Sequence, residues 1–103
     1  MSFALRFRRE VPDDIEEACR WYNEQRPGLR HEFLAELKAS LARIAENPQM
    51  YATGYRSVRS ARLHRFPYVV HYRIHGETVV VLAVLHGSRD PALWRRRARE
   101  SDA

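Results

Sequence analysis

His86, Arg89 and Asp90 stand in a Gly-Ser-Pro loop, HGSRDP, directly after the apolar run Val79 to Leu85. Buried strands that end in a polar loop are where scaffolds place function. The residue types fit one reaction, the cleavage of RNA without a metal. That reaction needs a base for the 2′-hydroxyl, cationic donors for the charged phosphorane and an acid for the leaving oxygen. Histidine has the ordinary pKa for proton transfer, and arginine supplies the phosphate donors. His86 with Arg89, facing Arg62, Arg65 and Arg73, is the constellation that could do it. The same residues also read structurally, with His86 capping the end of the central strand and Arg89–Asp90 forming a local ion pair that shapes the loop.

Other chemistries find less support. His71 and His75 on a strand are about 13 Å apart, too far to share a metal, and no other ligand spacing accompanies them, so no metal site and no cofactor are expected. No GxSxG, Walker loop or Gly-rich dinucleotide turn is present. Cys19 falls on a helix stripe and reads as a small core residue, not a nucleophile.

The elements that must position the loop follow from hydrophobic period. Tyr68, Val70, Tyr72 and Ile74 alternate with Val69, His71, Arg73 and His75, the pattern of a half-buried strand. After an HGE turn, Val79 to Leu85 is apolar on both faces and reads as the central strand. Phe3, Leu5 and Phe7 predict a short first strand with one core face. Val11-Pro12 opens a helix whose acidic first turns suit the positive helix end; Ile15, Ala18, Cys19 and Tyr22 form its buried stripe. Gln25-Arg26-Pro27-Gly28 stops it. A second helix runs from about Leu29 to Glu46, ~27 Å long, with the stripe Phe33, Leu34, Leu37, Leu41, Ile44 and Ala45, and ends at Asn47-Pro48. Leu63 to Phe66 is expected to join the sheet, with Pro67 at a bulge or strand start. Ala92 to Arg99 predicts a short C-terminal helix with Trp94 packing back on the sheet, and Ser101 to Ala103 is expected to fray.

The expected fold is therefore α+β, a single domain over residues 1–103. An N-terminal strand leads into an antiparallel two-helix hairpin packed on one face of a mainly antiparallel sheet of about four strands, and a short C-terminal helix follows. The other sheet face is expected to stay open and to carry His71, Arg73 and His75 with some of Arg59, Arg62 and Arg65.

Composition narrows the class. The chain has 103 residues, 45% of them hydrophobic and 30% charged, which is ordinary for a globular domain. The apolar run Val79 to Leu85 falls far short of the ~20 residues of a membrane span. The N-terminus carries no secretory h-region and Cys19 is the single cysteine, so a reducing cytoplasm is the expectation. Of the 18 basic residues only Lys38 is lysine. Residues 1–55 hold eight basic against nine acidic residues and residues 56–103 hold ten against four, giving −1 and +6 of the net +5. Arginine's planar fork suits phosphate and carboxylate, so the basic sheet half points to a nucleic acid or an acidic protein partner, or to a solvated basic face.

The segments DIEEACRWYNEQRPGLRHEFLAEL, AENPQMY, RFPYVVHYRI and VLAVLHGSRDPALW together resemble the RelE/ParE superfamily of toxins from type II toxin–antitoxin modules. The resemblance runs roughly from Phe3 to Arg97, with matching element order. It implies a cytoplasmic growth inhibitor held inactive in a complex with a cognate antitoxin. RelE-like members cut mRNA on the ribosome. Carried over from them, Arg62 and Arg65 are sheet phosphate binders, Arg89 stabilises the transition state, His86 is acid or base, and Trp94 takes the aromatic position. The chain departs from that pattern: residues 47 to 65 hold no lysine, and Trp94 replaces a tyrosine and has no phenolic proton. ParE-like members inhibit DNA gyrase and need no catalytic residue, and the V-L-H-G-x-R-D ending resembles that branch slightly more. Arg65, His86 and Arg89 are thus the catalytic candidates; Arg62 and Trp94 on the resemblance, and Arg59, His71 and Arg73 from their place on the open face, are expected to contact the target. A different class, a non-toxic basic module that binds RNA or protein, is the competing expectation.

Overall fold

The computed structural model describes residues 2–101, so the last two residues of the expected frayed end, Asp102 and Ala103, lie outside it. The element order is β1 (Ala4–Phe7), α1 (Val11–Gln25), α2 (Leu29–Glu46), β2 (Arg59–Arg62), β3 (Tyr68–His75), β4 (Thr78–His86) and α3 (Ala92–Glu100). The strands form one sheet in the order β1-β4-β3-β2, with β1 parallel to β4 and the other pairs antiparallel. This is the expected α+β architecture. Among the described residues, no helix is long and apolar enough to cross a membrane.

The helix hairpin forms where the sequence breaks the helical path. Pro12 sits in the first turn of α1, where a missing N–H costs nothing. Gly28 precedes α2 at φ +90°, a left-handed angle that strains any side chain. Arg30 clamps the pair by donating both guanidinium nitrogens to the Glu16 carboxylate at 3.1 and 3.0 Å. The buried stripes of α1 and α2 meet the sheet through an aromatic cluster: Tyr22 and Phe33 stack at 5.3 Å, and Phe66 meets Tyr22 at 4.9 Å and Phe33 at 5.3 Å. Each such pair adds ~0.5–1.5 kcal/mol beyond area burial. Tyr72, fully buried, donates its hydroxyl to Pro48 O at 2.5 Å, and burial pushes that phenol up to about 12.

β4 is buried from Val79 to Leu85, as a strand covered on both faces must be. Its phase shifts midway. Tyr72 pairs with Val81 but His71 with Ala83, so Leu82 is one extra residue, a β-bulge. Val79, Val81 and Val84 therefore face the helix hairpin, while Val80 and Leu82 join a second core with Val58 and Ala98.

That second core overturns one expectation. The far face of the sheet is not open, because α3 lies across it and Trp94 and Ala98 pack down on it. His71 is only 8% exposed beneath it. Three smaller corrections follow. β2 spans Arg59–Arg62, and Leu63 to Phe66 lie beyond its end because β3 starts only after Pro67. Phe7 is exposed, since β1 leaves the sheet at that residue. Arg59 points to the helix-hairpin side, opposite to Ser60 and Arg62, and donates to the carbonyls of Gln49 and Tyr51.

Where β1 ends, β4 keeps a free edge. Arg8 N–H still reaches Val81 O at 3.0 Å, but the chain then turns into α1. From there two side chains substitute for a strand. Asp14 accepts the Val84 N–H at 3.1 Å, Arg97 donates to Leu82 O at 3.1 Å, and the two side chains pair at 2.6 and 3.0 Å. Both are buried.

Candidate functional site

A cleft of about 260 Å³ opens beside the β2–β3–β4 end and the start of α3. Five of the expected residues line it: Arg62, His71, His86, Arg89 and Trp94. Strand parity explains the first two. Ser60 pairs with His71 and Arg62 with Val69, so all four share the α3 face. The last residue of β4 supplies His86, the β4–α3 loop supplies Arg89, and the first turn of α3 supplies Trp94.

The remaining expected residues lie elsewhere. Arg65 points to the helix hairpin, pairs with Glu32 at 2.6 Å and donates its backbone N–H to Glu36. Arg59 is turned to the opposite face, as above. Arg73 shares the α3 face but donates to the carbonyls of Arg56 and Ala98 at 3.2 Å each, so it holds α3 against the Tyr55–Ser57 turn.

Arg62 and Arg89 are exposed. The Arg62 guanidinium lies so close to Gly87 that a Cβ there would stand 3.3 Å from it. A side chain at this point of the loop would press on the exposed Arg62 guanidinium, which would have to give way by a few tenths of an ångström. Asp90 does not form the expected ion pair with Arg89; its carboxylate accepts the Ala92 N–H at 2.9 Å and starts α3. Arg89 is left directed at the cleft.

The two histidines are both engaged. His86 Nδ1 accepts the backbone N–H of Ser88 at 3.0 Å, with Ser88 Oγ at 2.8 Å. A backbone N–H can only donate, so Nδ1 is unprotonated and the neutral ring carries its proton on Nε2. His86 in this geometry is a donor, not a base. His71 stacks on Trp94 at 4.6 Å and 14° and is bonded through Nδ1 to Ser60 Oγ at 2.8 Å. Burial first, and the nearby Arg97 charge second, hold its pKa down at about 4.

That burial predicts a pH dependence of stability. Between the ordinary 6.5 and about 4, the unfolded chain binds a proton that the folded chain does not. Stability is therefore full above pH 6.5 and falls as pH drops towards 4, by roughly 3 kcal/mol in total. Urea midpoints measured between pH 7.5 and 4.5 should show the slope, and His71→Gln should flatten it. Parallel curves for the two proteins would remove His71 as the cause.

Sequence reasoning gave no role to Ser60 and Ser88, which orient the histidines, or to Tyr55. The Tyr55 hydroxyl accepts from Arg99 at 3.1 Å and Arg56 at 3.3 Å, and its ring meets Trp94 edge-on at 6.1 Å. Those bonds to the Arg99 and Arg56 guanidinia hold the phenol below its ordinary pKa.

Comparison with known proteins gives concordant matches. Residues 5–91 match the family described as ParE toxin of type II toxin-antitoxin system, parDE. The chain is 32% identical over 92 residues to Toxin ParE2 of Mycobacterium tuberculosis, in strain CDC 1551 and likewise in strain H37Rv, covering 88% of this chain and 88% of the relative. Among solved structures, a chain of the chromosomal ParDE system from P. aeruginosa superposes with a TM-score of 0.70 at 17% identity, covering 82% of this chain and 96% of that one. A RelE toxin mutant from E. coli in the free state superposes at 0.65 with 16% identity, over 100% of both chains. At those identities the two structures speak to fold alone.

Proposed function

The chain belongs to the ParE toxin family of type II toxin–antitoxin systems, and we propose that it acts in the cytoplasm as a non-enzymatic toxin of the ParE-like kind, blocking DNA gyrase. It is the toxin of such a pair, and its partner is an antitoxin. Target and mechanism are the parts that need argument. One observation carries the reading: the cleft concentrates cationic donors without a pair of groups able to move protons. Arg62 and Arg89 reach into it, but His86 offers no free base nitrogen because Ser88 occupies Nδ1. His71 is buried, stacked under Trp94 and neutral. General acid–base catalysis contributes about 10²–10⁴ in rate, and a cleaving enzyme lacking both partners loses most of it. A surface that recognises carboxylate or phosphate needs only the two guanidinia and their shape.

Two assays on the purified protein test this. Gyrase supercoiling should be inhibited, and a cell-free translation reaction should keep both its peptide output and its mRNA intact. Cleavage of mRNA that requires ribosomes would overturn the proposal in favour of RelE-like chemistry. In that case His86→Ala and Arg89→Ala should abolish cutting while antitoxin binding survives.

A further inference from the structure

His86 separates the cleft from a second cavity. On the far side of its ring, between α1 and the β3–β4 end, lies a space of about 610 Å³ that the proposed function does not use. Its walls are aromatic. Trp21 is 55% exposed, meets Tyr22 edge-on at 5.1 Å, and Tyr22 lies 5.9 Å from Tyr68. An indole left this open on a helix packed along its other side points to a contact still to be made.

The electrostatics of the cavity run against those of the molecule. Glu17 and Glu24 stand one turn before and one turn after Trp21 on the same face of α1. Neither has an ion pair or side-chain hydrogen bond among the described residues. Arg20 is the one guanidinium on this wall, and its charge also acts on Glu16. Two carboxylates thus face one guanidinium in a chain of net charge +5. The Glu17 charge reaches the Tyr68 phenol, which burial first and that carboxylate second hold above its ordinary pKa, against the opposing charge of Arg89 from the neighbouring loop.

Open aromatic faces with unpaired carboxylates at the rim are the composition that binds an organic cation. The chain uses the same chemistry internally, with the Arg95 guanidinium 5.5 Å over Trp94 and 5.4 Å over Tyr55. We propose that the cavity between α1 and the β3–β4 end seats a basic side chain, arginine or lysine, presented by the antitoxin. The proposal rests on the toxin–antitoxin reading and not on the identity of the target. A nucleic acid does not fit there, because its phosphates would meet Glu17 and Glu24. A protein side chain does, and it would touch His86 and Ser88, holding the loop that carries Arg89 from behind.

The first test uses the toxin alone. Amide and indole resonances of ¹⁵N-labelled protein are followed while acetyl-arginine amide, or acetyl-norleucine amide of similar length, is added. Arginine amide should shift the Trp21 indole and Ser88 signals, while norleucine amide should leave them in place. Glu17→Gln with Glu24→Gln should weaken the arginine effect roughly twofold to fivefold, the scale of an exposed ion pair. These side chains are exposed, so the variants should fold. Equal shifts from both amides, or shifts indifferent to the two substitutions, would overturn the proposal. The second test is affinity for the antitoxin. Trp21→Ala should weaken it roughly fivefold while the growth arrest caused by free toxin stays unchanged. Unaltered affinity in Trp21→Ala would also overturn it.

Discussion

Arg62→Ala and Arg89→Ala should each raise the toxin concentration needed for half-inhibition of gyrase by roughly tenfold to a hundredfold, while His86→Gln changes it by less than about fivefold. A hydrogen bond to a charged group contributes about 1.5–3 kcal/mol, and every 1.4 kcal/mol is tenfold. Arg62 and Arg89 are exposed and line the cleft together, so alanine removes the contact with the target and little of the fold. His86→Gln is the discriminating substitution. If His86 moved a proton, its loss would cost about 10²–10⁴. If it only shapes the loop through Ser88, the amide of glutamine should preserve most of that role. Supercoiling assays read all three variants, and growth arrest in cells should fall in the same order. An arginine variant as potent as the parent protein would remove the cleft as the target surface. A large loss of growth arrest in His86→Gln with supercoiling inhibition unchanged would return proton transfer to the mechanism.

The parts of this architecture that were legible in advance are those written in local period. Alternation from Tyr68 to Ile74 marks one covered face, and the run Val79 to Leu85 marks two, because burial of a strand shows directly in which residues are apolar. The α1–α2 hairpin shows through Pro12, Gly28 and the stripes of Tyr22 and Phe33 in the same way. What decides the site is non-local. The expectation of an open far face counts only the helix hairpin as cover and leaves the short C-terminal helix, ALWRRRAR, out of the second core. Helical spacing did hold the signal: Trp94, Arg97 and Ala98 stand at i, i+3 and i+4, one face of a helix. That face covers His71 and removes it from solvent. The open face is expected to hold Arg59 and Arg65 beside Arg62, yet strand parity turns Arg59 away and the end of β2 leaves Arg65 to Glu32. The Leu82 bulge lies inside a uniformly apolar run, where no change of pattern could reveal a change of phase.

The Asp14–Arg97 pair spans 83 positions and had no local sign at all, since an acid in a first helical turn is explained by the helix dipole alone. Removing either side chain should destabilise the protein by about 3–5 kcal/mol, because the other charge is left buried without a partner. For most buried ion pairs, replacing both members with apolar residues of similar volume recovers the loss. Here it should not. The pair also closes the edge of β4, accepting the Val84 N–H and donating to Leu82 O, and a Leu–Met replacement would orphan both. Each unsatisfied buried backbone group costs about 1–3 kcal/mol, so with two of them Asp14→Leu with Arg97→Met should remain less stable than the parent by roughly 2–6 kcal/mol. Urea unfolding of the four proteins completes the cycle. A double variant as stable as the parent would mean that the side chains pair only with each other and that the strand edge finds water instead. A persistent deficit would mean that α1 and α3, the helices flanking the two faces of the sheet, are tied together by the two residues that finish its edge. Anything that displaces α3 must then break both the ion pair and the end of the sheet at once.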